Sequence, residues 1–309
     1  MLTKKNKKVL LVGYGGMGKK YYEILKKKFD IIVVEKKVKN KKKNFFKDIK
    51  KLNLSNFYFG IISSPAHTHY KYCNVFLQNK LNFIVEKPLF VKHKGWKVLL
   101  NKIKKEKIFC EVAYPRRHAK SYNYIKRIIN QNIIGKIKIV RFNFSQDFRS
   151  FRKDYKKIYY SKIETGGGIT RDALVHQINL ASYFLGTIKN IKTFEKTIVF
   201  KDVKVPDTAS LKISFKKNYY CEIFGNQFQK PNIDEMEVIG EKGNLKFNRI
   251  DNKLYLLDAN SKKLIKKFNE TYEQIFNNQI LNFINSLKKN RKPKTSLLED
   301  LNNLKKLEN

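Results

Sequence analysis

A glycine-rich turn near the N-terminus constrains the fold more than any other feature of this sequence. The hexapeptide Gly13-Tyr14-Gly15-Gly16-Met17-Gly18 follows the apolar run Val9-Leu10-Leu11-Val12 and precedes a helix-compatible segment. In a strand–turn–helix context, the G-x-G-x-x-G pattern serves a tight turn, close backbone approach to a pyrophosphate, and close helix–strand packing. The turn predicts a dinucleotide-binding domain, and the alternative is a glycine turn without a ligand. The predicted cofactor-binding residues here are Gly13, Tyr14, Gly15, Gly16, Met17 and Gly18.

The first third of the chain alternates short apolar runs with helix-compatible segments. Uninterrupted apolar runs are typical of parallel strands covered on both faces. Their order predicts a right-handed βαβ series, which is an α/β Rossmann domain with a parallel sheet. The predicted strands are residues 9–12, 31–34, 57–62, 83–85 and 108–112, and the predicted helices are 18–29, 67–78 and 92–105.

Consecutive strand-like runs replace this alternation after about residue 120. Breaks such as Gly240-Glu241-Lys242-Gly243 are typical of hairpins, so we predict an α+β domain with a large, mostly antiparallel open sheet. Its predicted strands are residues 136–144, 209–215, 219–228, 236–239, 244–247 and 253–257, and its predicted helices are 121–129, one starting at 169, and 272–287. We therefore expect a Rossmann domain over residues 1–118 and a substrate-binding and oligomerisation domain over 119–309, with the C-terminal helix packing back on the first domain.

The formal charge of +41 raises the question of nucleic-acid binding. The lysines are spread along the whole chain beside abundant asparagine, isoleucine, phenylalanine and tyrosine, all of which have A/T-rich codons, so compositional drift explains them. The sequence has no RNP-type aromatic motif, zinc finger or basic heptad array, and we expect no nucleic-acid partner. A positive field would still concentrate anionic ligands, such as a pyrophosphate cofactor or a nucleotide-linked or acidic sugar.

Three further features bear on the environment of the protein. No run of about 18 uncharged apolar residues occurs, and the basic start, Met1 to Lys8, leads directly into a strand, so a cytoplasmic protein without a membrane partner is expected. The three cysteines are far apart and show no CxxC spacing, which favours reduced packing residues. His67 and His69 have no third ligand nearby, so no metal is expected.

Polar residues follow two of the predicted strands. Glu35 ends the second strand, where its carboxylate can accept hydrogen bonds from the ribose hydroxyls of NAD. Lys36 and Lys37 come next and could pair with a 2′-phosphate, so NADP stays open beside the favoured NAD. Lys87, in Glu86-Lys87-Pro88, also follows a strand, and ligands bind at the carboxyl ends of parallel strands. Lys87 is therefore predicted to face the nicotinamide end of the cofactor.

These and further motifs resemble the Gfo/Idh/MocA oxidoreductase family over nearly the whole chain. The matching segments are the glycine turn, Ser64-Pro65-Ala66-His67-Thr68-His69, Glu86-Lys87-Pro88, Arg116-Arg117, and Gly166-Gly167-Gly168 followed by Asp172 and His176. Phe151-Arg152-Lys153-Asp154-Tyr155 with Tyr159 further resembles a subgroup associated with surface-polysaccharide and nucleotide-sugar biosynthesis.

The resemblance implies hydride transfer between NAD or NADP and a hydroxyl or keto carbon of a sugar, which is expected to be nucleotide-linked or phosphorylated. It also implies a homo-oligomer, a dimer or a tetramer. The implied catalytic residues are Lys87, Asp172 and His176. The implied cofactor contacts beyond the glycine turn are Glu35, Ser64, Pro65, His69, Glu86 and Lys87. The implied substrate contacts are Arg117, Tyr155, Tyr159, Asp172 and His176.

The residue chemistry supports these roles independently. Asp172 and His176 are four residues apart and would share one face of a helix beginning near residue 169. An imidazole that titrates near neutrality can take or return a hydroxyl proton, and the Lys87 ammonium would stabilise developing alkoxide charge. The alternatives are an ordinary surface pair for Asp172 and His176, and simple packing for Tyr155 and Tyr159.

The chain departs from the family pattern in ways that concern the substrate. Asn179 stands three positions after His176, where the family often has an acidic residue, and Arg117-His118-Ala119-Lys120 replaces the more usual arginine-phenylalanine-x-proline run. Two other functions therefore remain open. One is a lyase or epimerase that uses tightly bound NAD transiently, and the other is a non-catalytic dinucleotide-sensing protein.

Overall fold

Short buried strands of β-branched and aromatic residues form a parallel sheet in the N-terminal part of the chain. The computed structural model describes residues 7–36, 44–92 and 94–307. The chain divides into two units, Met1–Ala113 with Phe283–Leu301, and Tyr114–Asn282 with Asn302–Asn309. Among the described residues, no helix is both long and apolar enough to cross a lipid bilayer.

The first unit confirms the predicted Rossmann architecture. Its six strands are all parallel and lie in the order β3-β2-β1-β4-β5-β6. The strands are β1 (Lys8–Val12), β2 (Asp30–Val34), β3 (Phe45–Phe46), β4 (Phe59–Ile62), β5 (Phe83–Glu86) and β6 (Cys110–Ala113). The helices between them are α1 (Gly16–Leu25), α2 (His69–Gln78) and α3 (Trp96–Lys105).

The core of this unit follows the apolar runs of the sequence. All four residues of β4 and β5 are buried, as covered parallel strands require. Phe283 also belongs to this unit, and its ring packs against Phe59 and Phe109 at centroid distances of 5.3 and 5.1 Å. The C-terminal part of the chain thus supplies an aromatic residue to the core of the first unit.

The second unit confirms the predicted mostly antiparallel sheet. Eight strands lie in the order β14-β13-β12-β11-β7-β10-β9-β8, and only β10 and β7 pair in parallel. The strands are β7 (Ile137–Asp147), β8 (Ile188–Lys196), β9 (Thr208–Phe215), β10 (Tyr220–Asn226), β11 (Phe228–Gly240), β12 (Asn244–Asn248), β13 (Lys253–Leu257) and β14 (Lys262–Lys267). The other α-helices among the described residues are α4 (Lys120–Asn130), α5 (Val175–Leu185), α6 (Tyr272–Lys288) and α7 (Leu297–Lys305).

One face of this sheet is apolar. On β9, Ala209, Leu211, Ile213 and Phe215 point into a core that also contains residues of α4 and α5, while Lys212 on the other face is exposed. This alternation follows from the two-residue period of a strand. Strands β8 and β14 were not predicted, because their exposed lysines hide the apolar alternation.

A buried ion pair ties the start of the second unit to its sheet. Arg116 donates from Nη1 to Asp234 Oδ1 at 3.0 Å and from Nη2 to Asp234 Oδ2 at 2.7 Å. The two side chains are only 14% and 17% exposed, and Arg116 Nη1 also donates to Tyr122 Oη at 3.2 Å. The bidentate geometry makes Arg116 a structural residue that fixes strand β11.

We predict that Arg116→Leu lowers the free energy of unfolding by about 2–3 kcal/mol, because it leaves a largely buried carboxylate without its cation. Urea denaturation of the full chain measures this loss. The double variant Arg116→Leu/Asp234→Leu should recover most of it. A double variant as unstable as the single one would show that the unpaired charge is not the cause.

Candidate active site

The glycine turn has a backbone geometry that only glycine can provide at two positions. Gly13 adopts a φ of +93°, and a Cβ atom there would lie 2.6 Å from the backbone nitrogen of Ser64. A Cβ atom at Gly18 would lie 2.1 Å from Gly13 O, so α1 packs directly against the turn. These two glycines are therefore required by the fold of the protein itself.

Gly15 is different, because a Cβ atom there would meet no protein atom within 4 Å. Packing therefore gives no reason for a glycine at this position. Gly15 and Gly16 are exposed at the start of α1, where unpaired N–H groups and the helix dipole favour an anion. The open space beside Gly15 fits a pyrophosphate that needs close approach to the backbone.

Glu35 lies next to this turn, directly after β2. Its Oε2 accepts a hydrogen bond of 2.8 Å from the N–H of Tyr14, which holds the carboxylate against the turn. The Tyr14 ring packs edge-on against Phe45 and Tyr22. A carboxylate in this position is suited to bind ribose hydroxyls. Lys37, which bears on the choice of NADP, lies outside the described residues.

The loop after β4 is hydrogen-bonded to the glycine turn through a residue that the sequence analysis did not single out. Ser63 Oγ donates to Gly13 O at 2.9 Å and to Val12 O at 3.1 Å. Ser64 shares a 2.6 Å hydrogen bond with the hydroxyl of Thr68, and Pro65 is exposed before the short helical turn Ala66–Thr68. The signal for Ser63 was its position directly after a strand, since polar residues at strand ends reach the ligand edge of the sheet.

His69, a predicted cofactor contact, is buried between two loops of the first unit. The ring is fully buried, with Nε2 2.8 Å from Ser64 O and Nδ1 3.2 Å from Leu89 O. The imidazole thus joins the loop after β4 to the loop after β5. Burial lowers the pKa of His69 to about 4, although the carbonyl groups oppose this shift. The ring is therefore neutral at physiological pH.

Glu86 and Lys87 stand at the end of β5. Glu86 is buried, and it accepts a 2.7 Å hydrogen bond from Tyr21 Oη and one of 3.2 Å from the N–H of Lys87. Burial raises the pKa of Glu86 above its ordinary value. These contacts give Glu86 a supporting role behind Lys87, whose own side chain is half-buried. Since β5 lies next to β4 and β4 next to β1, Lys87 shares the ligand edge of the sheet with the glycine turn.

The second unit carries the other predicted catalytic residues. Asp172 is 9% exposed and accepts a hydrogen bond of 2.7 Å from Tyr159 Oη. His176 is half-buried and packs edge-on against the Tyr114 ring at 5.7 Å.

The sequence predicted that Asp172 and His176 share one face of a regular α-helix. In the structure they do not lie on one regular α-helix. Residues Thr170–Leu174 form a π-helical turn, and α5 begins only at Val175. The N–H of Val175 reaches back to Thr170 O, which inserts an extra residue into the turn. Asp172 therefore stands on the π turn and His176 in the first turn of α5. Such turns occur often at functional sites.

Two predicted substrate contacts, Arg117 and Tyr155, form hydrogen bonds within the second unit. Arg117 is 3% exposed and donates to the side chain of Asn179 at 2.6 Å and to Asn179 O at 2.7 Å. Tyr155 is buried and donates to the carboxylate of Asp202. Both side chains therefore support the structure, and Asn179 is the partner of Arg117.

The depressed pKa of His69 makes stability depend on pH. Between about pH 6.5 and pH 4, the unfolded chain binds a proton at this residue that the folded chain excludes. The free energy of unfolding should therefore fall by about 3 kcal/mol as the pH falls through this window. His69→Gln removes this pH-dependent contribution to stability. The raised pKa of Glu86 affects wild type and variant alike, so its contribution cancels in their difference. In urea denaturation, the stability difference between wild type and His69→Gln should grow from pH 4 to pH 7, and a constant difference would contradict the prediction.

Two models of one family match the two units. Residues 7–114 match the Gfo/Idh/MocA model described as an oxidoreductase family with an NAD-binding Rossmann fold. Residues 122–246 match the model of the Gfo/Idh/MocA C-terminal domain.

Individual relatives are more distant. Oxidoreductase P35 of Formosa agariphila is 24% identical over 192 residues, which cover 60% of this chain and 58% of the relative. The NAD-dependent scyllo-inositol 2-dehydrogenase of Bacillus subtilis is 29% identical over 126 residues, which cover 41% of this chain and 34% of the relative. The matches thus span between a third and three fifths of the length of these relatives.

A solved structure extends the likeness to the whole fold. Levoglucosan dehydrogenase in complex with NADH and levoglucosan superposes with a TM-score of 0.84, covering 97% of this chain and 95% of that chain at 18% identity. Because the two family models between them match most of the chain, this protein belongs to the Gfo/Idh/MocA family and carries its NAD-binding Rossmann domain.

Proposed function

We propose that this protein is an NAD(P)-dependent dehydrogenase or reductase that acts on a hydroxyl or keto carbon of a sugar or a related cyclic polyol. One observation carries the proposal: the glycine turn, Glu35 and Lys87 follow strands β1, β2 and β5 and so reach the same edge of the sheet. The names of two relatives, which refer to scyllo-inositol and levoglucosan, support a polyhydroxylated ring as substrate.

The residues of the first unit would hold the dinucleotide. The backbone beside Gly15 and the start of α1 bind the pyrophosphate, and Glu35 accepts hydrogen bonds from the adenosine ribose. Because a carboxylate repels a 2′-phosphate, Glu35 favours NAD over NADP. When bound, the nicotinamide supplies the acceptor or donor of a hydride.

Three side chains then account for the acid–base chemistry. In the oxidising direction, the hydroxyl proton passes to the His176 imidazole as the carbon loses its hydride and the C–O single bond becomes a carbonyl. The Lys87 ammonium donates a hydrogen bond to the same oxygen and stabilises its negative charge in the transition state. Asp172 accepts a hydrogen bond from the substrate and orients it. In the reducing direction, His176 returns the proton.

We further propose that the substrate is anionic, as a nucleotide-linked or phosphorylated sugar of surface-polysaccharide synthesis would be. The net charge of +41 gives the protein a positive field that concentrates such a ligand. Lys157 and Lys162 are exposed close in sequence to Tyr159, which contacts Asp172. Cys73, Cys110 and Cys221 are buried free thiols, which supports a reducing compartment such as the cytoplasm.

Gly15→Val tests cofactor binding at the glycine turn while leaving the fold intact. The Cβ atom of the new side chain has no protein atom within 4 Å, and the side chain fills the space assigned to the pyrophosphate, so we expect the dissociation constant for NADH to rise at least about a hundredfold. The midpoint of thermal unfolding without ligand should change by less than about 2 °C. Energy transfer from Trp96, the single tryptophan, to NADH measures binding. Unchanged affinity would remove the pyrophosphate from this turn.

Lys87→Met tests the catalytic assignment. We expect NADH to bind normally and kcat/KM to fall about a thousandfold, because the variant loses the cation that stabilises the alkoxide. The assay follows NADH formation from NAD with scyllo-inositol, levoglucosan and a UDP-sugar. Lys102→Met, on the outer helix α3, is the matched control. A fully active Lys87→Met enzyme would refute the mechanism, and substrate conversion without net NADH would indicate a lyase or epimerase.

A further inference from the structure

The loop between β7 and the π turn packs with the connection between β8 and β9 in a small core. Phe148, Tyr155, Tyr160, Phe200, Val203 and Val205 form a buried cluster separate from the main core of the second unit. Within it, the rings of Phe148 and Tyr160 stack at a centroid distance of 4.2 Å. Tyr155 Oη also donates to the two carboxylate oxygens of Asp202 at 2.9 and 2.7 Å. These contacts fix the loop, and Phe228 at the start of β11 packs against the same cluster.

The glycine triplet brings this loop against the segment that carries Asp172. A Cβ atom at Gly167 would lie 2.1 Å from Tyr160 O and 2.7 Å from Lys162 O, so only glycine permits this approach. The N–H of Gly167 donates to Lys162 O at 2.9 Å, and the N–H of Gly166 donates to Ile163 O at 2.9 Å. The backbone before the π turn is therefore locked to the short helical turn Tyr159–Ser161.

This packing brings the phenol of Tyr159 into a hydrogen bond with the carboxylate of Asp172, which is 13 residues away in sequence. The distance from Tyr159 Oη to Asp172 Oδ1 is 2.7 Å, and the tyrosine is 39% exposed whereas the aspartate is only 9% exposed. Hydrogen bonds to an ionised carboxylate are short and about twice as strong as neutral ones.

We propose that Tyr159 is a positioning residue, which acts on the reaction by fixing the rotation of the Asp172 carboxylate. The terminal torsion of an aspartate is intrinsically broad, and a donor bound to Oδ1 restricts it. The second oxygen then keeps one direction towards the substrate. The proposal rests on the role given to Asp172 in the proposed function, and it assigns the glycine triplet the task of bringing Tyr159 to that carboxylate.

A double-mutant cycle tests whether Tyr159 acts through Asp172. The variants are Tyr159→Phe, Asp172→Asn and the double variant, assayed with NAD and the sugar or polyol that the wild type oxidises. We expect Tyr159→Phe to lower kcat/KM about ten- to a hundredfold, mainly through kcat, as the loss of a hydrogen bond to a charged group predicts. In the Asp172→Asn background, the same substitution should change kcat/KM less than about twofold, because the carboxylate is already gone.

Tyr220→Phe is the matched control, since it removes a phenol that donates to the Glu222 carboxylate at 3.3 Å on β10. It should leave kcat/KM within about twofold of wild type. An equal loss on Tyr159→Phe in both backgrounds would overturn the proposal and indicate direct substrate contact. A loss of kcat/KM that comes only from a higher KM would also overturn the proposal.

Thermal unfolding of the same four proteins tests the contact without turnover. Tyr159→Phe should lower the unfolding midpoint by about 2–4 °C in the wild-type background and by less than half of that beside Asp172→Asn. If the wild type oxidises none of the sugars and polyols tested, the proposed function fails. The thermal-unfolding cycle still tests the contact between Tyr159 and Asp172, because it does not depend on turnover. Equal shifts in both backgrounds would overturn the inference even where the enzyme is active.

Discussion

The absence of a side chain at a few positions is the constraint on which the candidate site residues of each unit depend. Gly13 and Gly18 let the first strand, the turn and α1 pack backbone against backbone, and Gly167 does the same for the loop before the π turn. A methyl group at any of these positions would collide with a backbone atom, which cannot move as a flexible side chain can. The first unit thereby gains an exposed helix start beside Gly15, and the second gains a carboxylate held by a phenol.

Buried hydrogen bonds connect the glycine turn, the loop after β4 and the end of β5 to neighbouring segments. Ser63 connects the glycine turn to the loop after β4, His69 connects that loop to Leu89, and Glu86 connects Lys87 to Tyr21 on α1. Glu86 thereby holds the backbone at Lys87 in place from within the first unit. Such supporting contacts matter because catalytic geometry must hold within fractions of an ångström.

The sequence predicted the architecture well wherever a local pattern corresponds to one structure. Apolar runs and glycine punctuation identified β1, β4 and β5, and these confirm the Rossmann order. The sequence could not predict the π turn at Thr170–Leu174, because one inserted residue leaves the apolar period almost unchanged. It also could not predict the internal hydrogen bonds of His69 and Arg117, since a polar residue in a functional motif looks the same whether it touches a ligand or holds a neighbouring segment.

Part of the positive charge lies on the two edge strands of the eight-stranded sheet. Strand β14 forms one edge of the eight-stranded sheet and exposes Lys262, Lys263, Lys266 and Lys267, while β8 forms the other edge and exposes Lys189, Lys192 and Lys196. Unpaired edge strands invite pairing with other chains, and lysines oppose it through repulsion and the cost of desolvation. At these edges the lysines are well hydrated and cost the fold little. A biased composition can therefore be tolerated, because the charge falls where it also protects the sheet.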